Sequence, residues 1–334
     1  MAKLTNFVFH SSLAIAIIFN IVAVGRAKAE DVNNFGALQG AIGNDGKNYL
    51  NVKQDIPFTN EIAINRSNLT ISGPGGGEVK LDGSEQHRFF TIGENLENIS
   101  LKNLHFNGGH DNRLGLISGN SNSEAGGGAI HLKRGTKIIL ENTTFNKNQA
   151  GLFGGAIRSR GAEDRKNTLE LKGKTIFNGN ESTENDSEGG GAIYGEYSNM
   201  IFGEVIFEKN KSYGCGGAIY VLNYVVMTFG EKATFSDNES SNGTGGAICA
   251  YDHSSLTFGG EAIFTENSSV GNGGAIFSSG ENATNKNILK FEGNASFVRN
   301  SATEGGNGNG GAIFVENSSL TFGGLATFEN NRAR

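Results

Sequence analysis

Carboxylates are the side chains of this sequence best suited to acid–base chemistry, because enzymes that cleave polysaccharides flank the scissile bond with a pair of Asp or Glu residues. Such a site needs acids gathered with a base or a metal ion on one face. No two repeats of the chain place aspartates at equivalent positions near a base, so the pattern indicates scattered, solvated acids. The nine aspartates are Asp31, Asp45, Asp55, Asp82, Asp111, Asp164, Asp186, Asp237 and Asp252.

Three other patterns could hold a metal ion or a phosphate group, and each lacks a required feature. The closest histidines, His105, His110 and His131, match no zinc-ligand spacing and have no cysteine beside them. The segment 173–175, Gly-Lys-Thr, lacks the earlier glycine of a phosphate-binding loop. The glycine-rich segment 305–311 has Asn where a calcium-binding repeat needs Asp. We therefore assign no catalytic, cofactor-binding or metal-binding residue.

Two cysteines could form a disulfide, but their spacing argues against it. Cys215 precedes one Gly-Gly-Ala-Ile tetrapeptide and Cys249 follows the next, so repeats stacked in register would place Cys249 opposite Tyr220. At about 3.3 Å per residue, the distance from Tyr220 back to Cys215 exceeds the roughly 7 Å that a disulfide allows between Cα atoms. The spacing predicts no intramolecular disulfide, and it leaves open inert thiols or a cross-link between two molecules.

A sequence repeat spans residues 127–331. The tetrapeptide Gly-Gly-Ala-Ile occurs seven times at steps of 27, 36, 26, 29, 28 and 37 residues, and Phe-x-x-Asn follows each copy. A period of this size is typical of solenoids, in which one unit cannot bury its apolar face alone. The repeat isoleucines are Ile130, Ile157, Ile193, Ile219, Ile248, Ile276 and Ile313; the phenylalanines are Phe145, Phe177, Phe207, Phe235, Phe264, Phe297 and Phe328; the asparagines are Asn148, Asn180, Asn210, Asn238, Asn267, Asn300 and Asn331.

Each repeat contains three short apolar runs separated by turns, which predicts an all-β fold. In the fifth repeat these runs are residues 247–250, 256–258 and 262–264. Three strands in about 27 residues favour a right-handed parallel β-helix, a solenoid with three short strands per coil, over a propeller, which needs four strands and about 40 residues per blade. Weaker repeats upstream bring the expected number to about ten coils.

Alternation along each strand predicts which side chains face the core. The repeat isoleucines point inward, the alanine of the tetrapeptide points outward, and the repeat phenylalanines form an internal stack. The repeat asparagines form a ladder at a corner, because Asn tolerates left-handed geometry and its amide can bond to the next coil. The seven residues that directly follow the repeat isoleucines point outward. The aromatic residues among them form a possible contact row for a binding partner. That row is Tyr194, Tyr220, Phe277 and Phe314.

The chain divides into four segments. Residues 1–29 read as a signal peptide, because a lysine precedes a short apolar stretch that ends in the small-x-small site Ala27-Lys28-Ala29. Residues 30–60 form an N-terminal cap and first strand, in which Val32, Phe35, Leu38 and Ile42 share one helical face. Residues 61–126 form degenerate β-helix coils, and residues 127–334 form the regular repeats. We expect no C-terminal barrel within these 334 residues.

The composition and the net charge limit the classes of binding partner that the chain could have. The net charge is −6, and it becomes more negative when the basic leader is removed, which argues against nucleic-acid partners. No later segment of the sequence is apolar enough to span a bilayer as a helix, so we expect no transmembrane segment after signal cleavage. No cofactor is expected.

The alternation of Gly-Gly-Ala-Ile with Phe-x-x-Asn over residues 127–331, behind an export signal, resembles the passenger domain of the chlamydial polymorphic outer membrane proteins, which are autotransporter adhesins. The resemblance implies a β-helical passenger that is displayed on the bacterial surface, binds host cells and can self-associate. Members of that family normally continue into a middle segment and a C-terminal outer-membrane barrel. Residues 1–334 contain neither, which leaves open a truncated gene, a partial sequence or a released fragment.

The resulting hypothesis is an exported adhesin or passenger-like protein on the bacterial cell surface, in the outer membrane or outside the cell, with no catalysis. Its partner would be a host-cell surface protein or glycan, and self-association through the open C-terminal coil is a second expectation. Two alternatives remain open. One is a structural surface spacer, and the other is a β-helical polysaccharide-degrading enzyme.

Overall fold

A computed structural model describes residues 29–75, 79–113, 124–184, 188–303 and 308–334. These residues form a parallel β-solenoid with one short helix, and every pairing between two named strands is parallel. The prediction of an all-β parallel β-helix is therefore confirmed. The predicted signal peptide lies outside the described residues, apart from Ala29.

Most regular coils have four strands, and two coils have three because their middle strands join into one long strand, so the prediction of three per coil was slightly off. In the fifth repeat the strands are Ile248–Tyr251, Ser255–Phe258, Ala262–Thr265 and Ser268–Ser269. The fourth has two residues and follows the repeat asparagine, where the sequence has no apolar run to reveal it. Nine copies of the first strand define about eight turns instead of about ten, because only two described copies, Ile62–Ile64 and Phe90–Ile92, precede the regular repeats.

Three sheets run along the solenoid. The isoleucine sheet has the nine strands Ile62–Ile64, Phe90–Ile92, Ile130–Leu132, Ile157–Arg160, Ile193–Glu196, Ile219–Leu222, Ile248–Tyr251, Ile276–Ser279 and Ile313–Glu316. The short sheet has the eight strands His110–Asp111, Gln149–Ala150, Glu181–Ser182, Lys211–Ser212, Glu239–Ser240, Ser268–Ser269, Ser301–Ala302 and Arg332–Ala333.

The third sheet, the phenylalanine sheet, receives two strands or one long strand from each coil. Its 19 strands are Glu30–Val32, Tyr49–Val52, Ile56–Pro57, Leu69–Ser72, Val79–Asp82, Ile99–Lys102, Leu104–Asn107, Lys137–Glu141, Thr144–Asn146, Asn167–Asn178, Ser198–Glu208, Val226–Phe229, Ala233–Ser236, Ser255–Phe258, Ala262–Thr265, Asn287–Phe291, Ala295–Val298, Ser318–Phe322 and Ala326–Glu329.

A helix, α1 (Phe35–Ile42), covers the N-terminal end of the core. The Asn34 side chain begins it by accepting a hydrogen bond from the Ala37 N–H at 2.9 Å, as an N-cap does. Leu38 and Ile42 are buried in the core. Val32, which the sequence placed on the same helical face, lies instead in the strand Glu30–Val32.

The tetrapeptide Gly-Gly-Ala-Ile is a turn that admits only small residues at its start. Gly216 has φ +68°, a left-handed conformation that favours glycine. A Cβ on Gly217 would lie 2.1 Å from the carbonyl oxygen of Gly246 in the next coil. Ala218 is fully buried in the main core, and its carbonyl accepts the N–H groups of two residues of the preceding coil. The predicted outward alanine was wrong, because strand alternation begins only at the isoleucine.

The interior is lined by two parallel stacks of rings. Phe106 and the repeat phenylalanines follow one another at centroid distances of 4.7 to 4.9 Å. A second stack, Phe202, Phe229, Phe258, Phe291 and Phe322, has spacings of 4.4 to 5.0 Å and meets the first edge to face. The repeat isoleucines lie in the same core, fully buried except Ile313 in the last coil.

The repeat asparagines form a buried ladder at the corner before the short sheet. The Asn180 backbone N–H and side-chain Nδ2 both donate to Oδ1 of Asn210, at 3.0 and 2.9 Å. Asn210 in turn donates from Nδ2 to the Phe177 carbonyl and to Oδ1 of Asn238, each at 3.0 Å. The same pattern continues to Asn331, so each coil fixes the position of the next.

Candidate functional site

The outer face of the isoleucine sheet carries the predicted contact row, and most of it is covered. Tyr194, Tyr220 and Phe277 are only 2, 5 and 6% exposed. They form a second apolar cluster outside the main core, to which partly buried Phe314 also belongs. The side chains point out of the solenoid as predicted, but the exposure that a contact row requires is not found.

The covering comes from the loops that precede each Gly-Gly-Ala-Ile tetrapeptide. The Phe153 ring, from one such loop, lies 4.8 Å from the Tyr194 ring. Cys215, from another, lies in the same cluster as Cys249 and Tyr251. Because the loops fold back across the sheet, outward-pointing aromatic side chains become a buried layer.

These loops also place both thiols beside one hydroxyl group, a proximity that the strand-spacing argument from the sequence did not predict. Cys249 does pair with Tyr220 in the strand register, as expected. Cys215, however, lies in a loop, so strand spacing does not apply to it. The Thr244 hydroxyl oxygen lies 3.4 Å from both sulfur atoms, and both cysteines are free and buried.

Towards the N-terminal coils, the same outer face changes from apolar to charged. Buried Arg88 pairs with Asp111 at 2.9 Å and with Glu61 at 3.2 Å, and it donates to backbone carbonyls of residues 124–127. Arg113 pairs with the same two acids at 2.6 and 3.1 Å. Each acid is thus held by two guanidiniums, an arrangement that satisfies buried charge.

The electrostatics of this charged cluster do not favour proton transfer. Burial by itself raises the pKa of Glu61, but Arg88, a hydrogen bond from Thr91 and Arg113 outweigh it and hold that pKa below its usual value. A catalytic acid at neutral pH needs the opposite shift, a raised pKa. In the described ranges, no group of three or more His, Cys, Asp or Glu residues could hold a metal ion.

His131 lies beside this cluster and should make stability depend on pH. Burial, followed by repulsion from Arg88 and Arg158, holds its pKa well below the usual value, and its Nδ1 has no hydrogen-bond partner. The folded state keeps His131 neutral while the unfolded chain binds a proton below about pH 6.5, so stability is lost as the pH falls through that value, by up to about 1.4 kcal/mol per pH unit.

The measurement is denaturant unfolding between pH 7.5 and pH 5. We expect the free energy of unfolding of the wild type to fall more steeply below about pH 6.5 than that of His131→Gln, whose side chain does not titrate. Only the difference in slope is diagnostic, since the substitution also changes packing. Equal slopes would show that His131 binds a proton in the folded state as readily as in the unfolded chain.

A row of rings that the sequence reading missed is accessible at the corner after the isoleucine sheet. We call Tyr197, Tyr224 and His253 the aromatic corner. The Tyr197 and Tyr224 rings stack at 5.9 Å, and the Tyr224 and His253 rings at 4.3 Å. Tyr224 is 40% exposed, and Lys166 Nζ lies 5.6 Å from its ring centroid. Three consecutive coils thus present one rigid aromatic edge.

The surface beside the aromatic corner is also apolar. Ile201 and Val226 are 45 and 46% exposed and lie on the neighbouring strands of the phenylalanine sheet. A signal for the corner was present in the sequence, because an aromatic residue follows the repeat isoleucine by four or five positions in three consecutive repeats. All three ring residues have positive φ, which places them at the turn.

The last coil presents apolar side chains to solvent. Leu325 is 68% exposed and Phe328 is 51% exposed, so Phe328 differs from the six earlier repeat phenylalanines, which are fully buried. Asn331, the final ladder residue, is partly buried. Among the residues that the structure describes, no helix is long and apolar enough to cross a membrane.

Comparison with known proteins identifies the repeat. The family model of the Chlamydia polymorphic membrane protein repeat matches in five places, at residues 142–160, 174–196, 204–222, 232–251 and 261–279. A 108-residue segment is 33% identical to a probable autotransporter, YfaL, of Escherichia coli (strain K12). That match covers 31% of this chain and 8% of the length of the relative. No solved structure matches.

Proposed function

We propose, from the similarity of five segments of this chain to the Chlamydia polymorphic membrane protein repeat, that it is an exported, surface-displayed passenger that binds host cells without catalysing a reaction. The parallel β-solenoid suits this role, because it holds side chains from successive coils in fixed rows along an elongated surface. The match to an autotransporter supports a location in the outer membrane or on the surface.

The observation that carries the proposal is the aromatic corner. Tyrosine is enriched among residues that dominate binding energy, and exposed apolar surface marks interaction sites on soluble proteins. Tyr224, Ile201 and Val226 are each 40 to 46% exposed, on two consecutive coils. Because the stacked rings are already ordered before binding, little conformational entropy is lost when a partner docks. The partner would be a host-cell surface protein or glycan.

The test compares binding of the purified chain to cultured host cells. We expect the double variant Tyr197→Ser/Tyr224→Ser to lose at least about tenfold in affinity, the effect of removing roughly 1.4 kcal/mol of contact energy. Tyr49→Ser is the matched control, because Tyr49 is 50% exposed but lies in the N-terminal coil. Full binding by a double variant with an unchanged circular dichroism spectrum would refute this contact surface, and equal loss in the control would show a non-specific effect.

Self-association is the second part of the proposal. Leu325 and Phe328 expose apolar surface on the last described coil, where Ile313–Glu316 and Arg332–Ala333 are edge strands of their sheets and edge strands can template further pairing. We expect the purified chain to form dimers or larger species in sedimentation experiments. Leu325→Lys should shift that equilibrium towards monomer, and an unaltered distribution would argue against association through this end.

The paired state of Glu61 and Asp111 supports the non-enzymatic assignment over a polysaccharide-degrading enzyme. Incubation with bacterial and host polysaccharides should release no unsaturated or reducing sugars. Release that is abolished by Glu61→Gln would favour the enzyme instead.

A further inference from the structure

We propose that Cys215 and Cys249 form an intramolecular disulfide by exchange with a low-molecular-weight disulfide such as oxidised glutathione. This bond would join a loop of one coil to the strand Ile248–Tyr251 of the next. It would therefore act as a covalent tie across the outer face of the isoleucine sheet. The proposal rests on the placement of the thiols and not on the proposed function.

The two sulfur atoms occupy one small buried site. Each lies 3.4 Å from the hydroxyl oxygen of Thr244, which stands at the equivalent loop position one coil after Cys215. Both cysteines belong to the same buried cluster outside the main core. The rings of Tyr220 and Tyr251 belong to the same cluster and exclude solvent from it. Two nucleophilic thiols from successive coils thus lie in one site outside the main core.

The two thiols differ in the way that an attacking and a resolving cysteine differ. Hydrogen bonds from Cys249 and Thr244 outweigh burial and lower the pKa of Cys215 to about 6, which makes its thiolate available at neutral pH. Burial raises the pKa of Cys249 well above its usual value. Cys215 is also the more accessible, at 7% exposed against 0% for Cys249. Cys215 is therefore the attacking thiol.

The exchange balances in two steps. The Cys215 thiolate attacks one sulfur of oxidised glutathione, the bond between the two glutathione sulfurs breaks, and one glutathione leaves as a thiolate. Cys249 then loses its proton and attacks the Cys215 sulfur of the mixed disulfide, which expels the second glutathione. The protein loses two electrons and two protons, and one oxidised glutathione becomes two reduced molecules.

The experiment uses the purified full chain in buffers of increasing oxidised-to-reduced glutathione ratio, followed by denaturation, alkylation and mass spectrometry. We expect the oxidised protein to lose two hydrogen atoms and both alkylation sites while remaining monomeric on a non-reducing gel. Digestion with trypsin should join peptide 212–232 to peptide 233–286, which carry the two cysteines. Two alkylatable thiols under oxidising conditions, or disulfide-linked dimers, would overturn the proposal.

Two single variants test the assigned order. In Cys249→Ser the reaction should stop at the first step, leaving one glutathione on Cys215. In Cys215→Ser the buried Cys249 should remain unmodified over the same time. Both replacements are small and lie outside the main core, so circular dichroism should match the wild type. A glutathione adduct on Cys249 but not on Cys215 would reverse the assignment, and no adduct in either variant would contradict an attacking thiol at this site.

Discussion

Replacing Asn210 with alanine should destabilise the protein by about 4 kcal/mol, because it leaves several buried polar groups without partners at a cost of roughly 1–3 kcal/mol each. The Asn180 backbone N–H and Nδ2 would lose their shared acceptor, and the Phe177 carbonyl would lose its side-chain donor. Asn210 itself is fully buried, so water cannot replace these bonds without opening the coil. The measurement is the free energy of unfolding by denaturant titration.

Asn178→Ala is the matched control for this prediction. Asn178 also donates to an asparagine of the preceding coil, Asn146, at 2.9 Å, but it lies on the outer surface and is partly exposed. Water can take over its hydrogen bonds, so we expect a cost below about 1 kcal/mol. Equal costs at Asn178 and Asn210 would contradict the view that the buried ladder holds successive coils in register.

Replacing Phe207 with alanine should cost about 3–5 kcal/mol, the range for deleting a large core side chain. The Phe207 ring is fully buried between Phe177 at 4.8 Å and Phe235 at 4.9 Å, and it also meets Phe202 edge to face. The substitution removes these contacts and leaves a cavity that neighbouring coils cannot fill without moving their backbones. The decrease in unfolding free energy measures the effect.

The same motif position in the last coil provides the control. Phe328 stacks on Phe297 at 4.9 Å, but it is 51% exposed. Phe328→Ala removes about half as much buried area and leaves no enclosed cavity, so we expect a cost of about 1 kcal/mol. A cost at Phe207 no larger than that at Phe328 would show that the stack does not form a closed core.

The repeat motif was sufficient to predict the fold, because the physical requirements of stacking act at fixed intervals along the chain. Apolar runs that recur at a regular interval must all face the same core. Stacking them predicts the parallel register in which Tyr220 lies opposite Cys249. The two-residue strands of the short sheet were missed because two residues have no hydrophobic periodicity. The number of coils was overcounted because residues 61–126 contribute only two described strands to the isoleucine sheet, Ile62–Ile64 and Phe90–Ile92.

The solvent exposure of the side chains on the isoleucine sheet was harder to predict than the direction in which they point. Strand alternation correctly aims Tyr194 away from the solenoid axis, but it contains no information on whether a loop returns to cover that side chain. The loop residue Phe153 does so, and burial at 2% exposure is the result. Accessible rings occur instead at a turn, where alternation has no meaning. The contact of Cys215 with Thr244 depended on the same unpredicted loop path.

The most direct test of the account is a crystal structure of the protein. We expect parallel coils in which Phe207 lies opposite Phe235, the Tyr194 and Tyr220 rings are covered, and the Tyr224 ring is open to solvent between Tyr197 and His253. Coils paired in another register, or a Tyr194 exposed to solvent above a buried Tyr224, would contradict it.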